Sequence, residues 1–183
     1  MLDDLINKRR SYRSLKKCII TKEDILMLAN AASLAPSCYN NQPWRFLFAT
    51  DDDKLKKMFN TLSEGNNWAF DASAVIAVLA KKEDDCILPD KREYYQFDCG
   101  MAVGFMLLKA TELGLVLHPI AGYNPIAVKE AFNITESYEV ITLLIAGEKD
   151  ENIKPYFKDY QIEAENKRPA RRDVKDFVFI NTF

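Results

Sequence analysis

The sequence predicts an α+β fold from three observations. Two continuous apolar runs, Val75 to Ala80 and Val140 to Ala146, suit strands buried in a sheet. Tyr95 to Leu113 is the longest helical pattern, and it is apolar around most of its circumference, as in a helix buried on nearly all sides. Helical and strand patterns follow one another without regular βαβ alternation, which argues against a doubly wound sheet. A chain of 183 residues suits a single domain spanning 1–183, with room for a core.

The remaining elements follow in order. Leu2 to Asn7 allows one or two helical turns. Thr21 can cap a helix whose first turn carries Glu23 and Asp24; Ile25, Leu28 and Ala32 share one face of it, with Leu26 and Ala29 adjoining. "APSCYNNQPW" ends that helix as a polar loop, and Trp44 to Ala49 reads as a short strand. Asp51 to Leu62 is an amphipathic helix with Leu55, Met58, Phe59 and Leu62 inward, broken by "EGNN". A charged connection, 82–95, leads to the long helix, which Gly114 stops. "LVLHPIAG" is a short strand or extended turn. Asn124-Pro125 is a cap followed by a favoured first helical residue, and that helix runs to about Phe132. After Gly147 the chain turns polar. The tail from Asp176 to Phe183 holds three phenylalanines, so it is expected to pack, a second subunit being one surface for it.

Composition limits the partners. The net charge of −2 gives no general case for nucleic-acid or membrane binding. No apolar run reaches the ~18 residues of a membrane span. "MLDDLINKRR" has no apolar signal core, so a cytoplasmic location is expected. The four cysteines lack CxxC spacing and are expected to be free thiols. Cys38 has no histidine near it in sequence and reads as an inert thiol. One histidine, His118, makes a His-rich metal site unsuitable; in its apolar segment it reads as packed and neutral. Gly100 and Gly104 are spaced for close helix packing. There is no G-x-S-x-G, Walker loop or G-x-G-x-x-G.

What remains is cations, amides and glycine. Six of the ten residues from Lys8 to Lys17 are basic, and no acid lies between Asp4 and Glu23. Arg9, Arg10, Ser11 and Arg13 make a phosphate cradle of forked donors and a hydroxyl; the alternative is a solvated charged turn. A second basic group, Lys167, Arg168, Arg171 and Arg172, could help neutralise one dianion if the two groups meet. The loop from Pro36 to Trp44 offers amide and hydroxyl donors for the edge of a heteroaromatic ring, or is an ordinary connection.

Taken together, "RRSYR", "APSCYNNQPWRF", "FDASAVIAVLA", "FDCGMAVGFMLLKATELGL", "PIAGYNP" and "NKRP" resemble, in order, the nitroreductase family of flavin mononucleotide (FMN) enzymes. The resemblance covers roughly residues 9 to 170. It implies an α+β fold with a mixed central sheet, a long buried helix and an intertwined homodimer with two interfacial FMN sites. Arg9 and Ser11 would hold the phosphate or its nearby tail, with Arg10 beside them and Arg168 and Lys167 completing the pocket; Arg171 is an alternative to Arg168. Arg13 would approach flavin N1/O2. Pro36, Ser37, Cys38, Tyr39, Asn40 and Gln42 would reach the partner subunit's flavin. Pro119 and Ile120 would pack near the ring, and the N–H groups of Ala121 and Gly122 would face N5 and O4. Asn67, or Asn66, would meet the ring edge. The implied reaction is ping-pong hydride transfer from NADH or NADPH, through flavin N5, to a nitroaromatic, quinone or similar planar acceptor. A reductive dehalogenase or flavin-fragmenting enzyme on the same scaffold, and a non-catalytic flavin- or anion-binding module, are the competing readings.

Overall fold

A computed structural model describes residues 2–183. The centre is β3 (Ala74–Lys81), whose first seven residues are all buried. Beside it runs β5 (Tyr138–Lys149), antiparallel, with Val75 opposite Ile145 and Ala77 opposite Leu143. The other edge of β3 pairs with β2 (Arg45–Ala49), and the other edge of β5 with β4 (Val116–Ile120), both antiparallel. The two-residue β1 (Leu15–Lys16) pairs with the end of β5. The expected mixed sheet is therefore antiparallel in every pairing among the described residues. The long crossover from β3 to β4 does leave these two strands pointing the same way. β5, antiparallel to both, lies between them, so they never pair.

Both sheet faces are covered, which explains why β3 is apolar throughout rather than alternating. On one face Ile76, Val78 and Leu144 pack against α2 (Lys22–Ser33) and α4 (Tyr95–Glu112). On the other, Val75, Leu143 and Ile145 pack against α3 (Asp52–Phe59), Trp68 and α5 (Pro125–Phe132). Two predicted caps are in place. Thr21 accepts from the Asp24 N–H at 3.1 Å, while the Asp24 carboxylate accepts from the Thr21 N–H at 2.8 Å. Asn124 Oδ1 accepts from Ile126 and Ala127. The predicted 51–62 helix stops at Phe59, and Leu62 instead bridges to Tyr123.

Four expectations need correction or completion. The helix α4 is not buried all round: Phe97 and Phe105 are 56% and 43% exposed. Gly100 and Gly104 have nothing within 4 Å of an added Cβ, so close packing within the chain does not explain them. Cys38 and Cys86 are joined as a disulfide, because the loop after α2 and the connection after β3 meet beside the start of α4; a separation of 48 residues gives no local sign of it. Only Cys18 and Cys99 are free thiols among the described residues. The tail finds no cover on its own chain, with Phe177, Phe179, Ile180 and Phe183 exposed.

Candidate functional site

The basic segment is held at both ends. Upstream, α1 (Leu2–Lys8) ends as the Arg9 N–H donates to Leu5 O at 2.8 Å. Downstream, Ser14 and Leu15 are fully buried, and Ser14 Oγ donates to Asn152 O at 2.9 Å. Arg9 to Arg13 therefore crosses the surface as a tethered, half-buried strip rather than a mobile turn.

A helix with no signal in the sequence pattern, α6 (Asp159–Asn166), clamps this strip. Arg10 donates to Ala164 O near the helix end, and its guanidinium lies 4.7 Å from the Tyr12 ring. The Arg13 N–H donates to Glu165 Oε1 at 2.7 Å. Just past the helix, Arg168 donates to Asn7 O and, at 2.8 Å, to Arg9 O. From the sheet side, His118 Nδ1 is 3.0 Å from Tyr12 O, an N–H donor to that carbonyl. The two basic groups of the sequence thus meet.

Their junction is a cleft of about 350 Å³ lined by Arg9, Arg10, Ser11, Arg13, His118, Tyr160, Arg168 and Arg171, with no carboxylate on its wall. Arg9 Nη1 donates to Ser11 Oγ at 3.2 Å. Burial first, then the like charges of Arg168 and Arg171, pull the Arg9 pKa below its ordinary value. Positive charge is in excess among the residues that line this cleft. His118 is buried and stacked at 4.6 Å on Trp68; burial, with the repulsion of Arg13 and Arg9, pushes its pKa down to about 4 against the pull of the Tyr12 carbonyl. It is neutral near pH 7, as predicted, and it is also part of the cleft wall, which its apolar neighbours in sequence did not suggest.

Arg9 and Ser11 also line a second, apolar hollow of about 520 Å³, with Met101, Phe105, Leu108 and Pro119. Beyond it the β4 strand leads to Gly122. The Gly122 carbonyl accepts from the Ser63 N–H at 3.0 Å and from Asn66 Nδ2 at 2.8 Å. Both anchors hold the Gly122–Tyr123 peptide; the Gly122 N–H lies in the preceding peptide, whose Ala121 carbonyl accepts from the Tyr123 N–H at 3.1 Å. A Cβ at Gly122 would lie 2.5 Å from Asn66 Nδ2. The requirement is for room, since this glycine has no positive φ. Ile120 is buried, and Ala121 is exposed at the end of the strand.

Not every candidate converges. Lys167 lines a neighbouring hollow with Tyr160, Glu163 and Ala164, whereas Arg171 faces the cationic cleft. Asn67 opens onto a separate cleft of about 750 Å³ with Trp68, Phe70 and Tyr160, while Asn66 is the residue bonded at Gly122. Pro36, Ser37, Cys38, Tyr39, Asn40 and Gln42 line neither the cationic nor the apolar hollow of their own chain. That loop is fixed at the start of α4, where the Cys38 N–H donates to Asp98 Oδ2 at 3.1 Å, and Tyr39, Asn40 and Gln42 all have positive φ.

A carboxylate-free cationic cleft thus lies beside an apolar hollow, the two sharing Arg9 and Ser11. The chain belongs to the nitroreductase family: the model of that family matches residues 6–148. MhqN of Bacillus subtilis, which carries an NAD(P)H nitroreductase name, is 29% identical, with 95% of this chain and 96% of the relative covered. An Archaeoglobus fulgidus protein named NADH dehydrogenase/NAD(P)H nitroreductase is 34% identical over 80% of this chain and 85% of its own. The iodotyrosine deiodinase of Thermotoga neapolitana is 27% identical over 82% and 90%. Among solved structures, an oxidoreductase containing FMN superposes with a TM-score of 0.86 at 27% identity, covering 100% of this chain and 93% of that one.

Proposed function

We propose that this protein is an FMN-dependent NAD(P)H oxidoreductase acting as a homodimer on a small planar acceptor. The observation that carries the reading is the meeting of Arg9, Ser11, Arg168 and Arg171 around one carboxylate-free cleft. Three guanidinium groups and a hydroxyl match the charge and acceptor oxygens of a phosphate monoester. The adjoining apolar wall, with Pro119, suits the flat remainder of the cofactor. When bound, FMN would supply the hydride chemistry linking NADH or NADPH to a nitroaromatic, quinone or similar planar acceptor.

The chain's own residues then have separable roles. Arg9, Ser11 and Arg168 hold the phosphate, with Arg171 and Lys167 nearby. Arg10 is committed to Ala164 O and braces the strip. Arg13, fixed through its own N–H by Glu165, brings positive charge toward flavin N1/O2 and stabilises negative charge gathering there. Gly122 and Ala121 offer backbone N–H groups to N5 and O4; the Gly122 N–H shares its peptide with the Ala121 carbonyl, which accepts from the Tyr123 N–H at 3.1 Å. Pro36, Ser37, Cys38, Tyr39, Asn40 and Gln42 serve the partner subunit's flavin, and Asn66 or Asn67 meets the ring edge. The open apolar side of α4, with Phe97 and Phe105, is the surface offered to the second copy.

An absorbance spectrum recorded before and after anaerobic NADH or NADPH tests the reading. The protein should carry flavin absorbance that bleaches, then recovers with a quinone or nitroaromatic. Arg9→Ala should weaken FMN retention by roughly 10- to 100-fold, the worth of one charge-assisted hydrogen bond. Arg13→Ala should lower the flavin potential more than Arg9→Ala does; equal potentials in the two variants would count against this division of roles. A reductive dehalogenase is the second reading, supported by the Thermotoga relative. Release of iodide from iodotyrosine, without turnover of nitroaromatics, would favour it.

A further inference from the structure

The bridge between Cys38 and Cys86 lines neither the cationic cleft nor the apolar hollow of its own chain. Cys38 is half-buried and Cys86 is 5% exposed, so Cys38 is the more accessible of the two residues to an incoming thiol. Beneath the bridge, in the first turn of α4, lies Asp98, which is 1% exposed. Its Oδ2 accepts the Cys38 N–H at 3.1 Å, and its Oδ1 has no hydrogen-bond partner among the described residues. A buried carboxylate with an unpaired oxygen is costly in the charged form and cheaper as a neutral acid. Burial, then the charge of Asp85, accordingly raises the Asp98 pKa, against the pull of the Cys38 N–H.

The surroundings supply little compensating charge. Asp85 accepts from the Cys86 and Tyr94 N–H groups, each at 2.7 Å. Arg45, on β2, is engaged with Asp84 at 3.1 Å. Cys99, the neighbour of Asp98 on α4, is a buried thiol pushed up to about 12 by burial and by Asp98, and stays protonated. A protonatable acid is thus held on the backbone N–H of one of the two bridged cysteines.

We propose that Cys38 and Cys86 are a reversible redox pair opened by small dithiols, with Asp98 as its proton donor and acceptor. A dithiol's thiolate attacks Cys38 Sγ, the S–S bond breaks, and Cys86 leaves with the electron pair and takes a proton from solvent. The dithiol's second sulfur, deprotonated, then attacks the mixed disulfide. Cys38 leaves as a thiolate and is protonated by Asp98, which is recharged from solvent. The dithiol is oxidised to a cyclic disulfide and both cysteines are reduced to thiols. Oxidation runs the same path backwards, with Asp98 accepting the Cys38 proton. This chemistry does not depend on the FMN reading, although Cys38 lies on the loop proposed to reach the partner's flavin.

The full chain is equilibrated in buffers of reduced and oxidised dithiothreitol, quenched with iodoacetamide under denaturing conditions, and mapped by peptide mass spectrometry. Cys38 and Cys86 should be linked to each other at the oxidising end and both alkylated at the reducing end, with one reversible midpoint. Reduction followed against pH, with each rate divided by the dithiol's thiolate fraction, should show an inflection in the wild type. In Asp98→Asn that inflection should vanish and reduction should slow by at least ~10-fold. Four alkylated cysteines at the oxidising end, or a Cys38–Cys86 link that cannot be reduced and reformed, would overturn the pair. An unchanged pH profile in Asp98→Asn would overturn the role of Asp98; should that variant fail to fold, a wild-type profile without an inflection does the same. Flavin absorbance is read on the same samples, so a colourless protein that still cycles its bridge sinks the FMN reading alone.

Discussion

Acidification isolates His118, because it is the only histidine in the chain. In the folded protein its pKa lies at about 4, held down chiefly by burial, against an ordinary value of 6.5. A group whose folded pKa is depressed in this way binds its proton in the unfolded chain first. Stability is therefore highest at and above neutral pH, and falls as pH drops through 6.5 toward 4, where the folded form begins to protonate as well. From pH 7.5 to pH 5, linkage between these two values costs about 2 kcal/mol. Ordinary carboxylates titrate mostly below that window. The assay is urea unfolding at fixed protein concentration and fixed ionic strength, at half-unit pH steps, in wild type and His118→Asn. Asparagine can still donate to the Tyr12 carbonyl that His118 Nδ1 contacts at 3.0 Å, but it does not titrate. Wild type should lose about 2 kcal/mol across the window, and the variant should lose little. Parallel curves would refute the reasoning, since they would mean that the imidazole is as easily protonated folded as unfolded.

Three further outcomes follow from the geometry. Gly122→Ala should displace the Asn66 amide, which sits 2.5 Å from the new Cβ, and lose its bond to the Gly122 carbonyl; stability should fall by about 1 kcal/mol in urea melts, with slower flavin reduction in rapid mixing. Asn124→Ala removes the side chain that accepts from Ile126 and Ala127 at the start of α5, and should cost about 1 kcal/mol in the same melts without altering the flavin spectrum. Phe105→Glu places a charge on the open apolar side of α4; light scattering should find the wild type dimeric, as proposed, and the variant monomeric at the same concentration.

The sheet and most helices were legible because their signals are local. Val75 to Ala80 has no polar interruption, and Thr21 and Asn124 announce the starts of α2 and α5 through short-range hydrogen bonds. Helix α6 announces nothing. Its sequence, DYQIEAEN, has few apolar residues, and the residues it buries are Gln161 and Glu165. Gln161 Oε1 accepts from the Lys158 N–H, while Glu165 accepts the Arg13 N–H 152 positions away. A helix that buries polar groups for distant partners has no amphipathic stripe to find. The cationic cleft was half legible: both basic clusters stood out as charge runs, but their meeting depends on α6. The disulfide stayed hidden for the same reason, since no spacing rule links residues 48 apart.

The cost of that arrangement also says what it is for. Glu165 is buried with one carboxylate oxygen lacking a partner among the described residues, and Arg9 is crowded by Arg168 and Arg171. A helix selected for stability alone would bury apolar groups here and leave the guanidiniums apart in water. Instead the chain accepts an under-satisfied carboxylate to fix the Arg13 backbone, and like-charge repulsion to place three forks around one cleft. Repulsion of that kind is relieved only when negative charge enters, so the free energy of anion binding includes what folding left unrelieved. Ligand affinity and fold stability are then coupled through the same residues: on the proposed reading, a phosphate bound in the cleft would also tighten α6 onto the strip from Arg9 to Arg13.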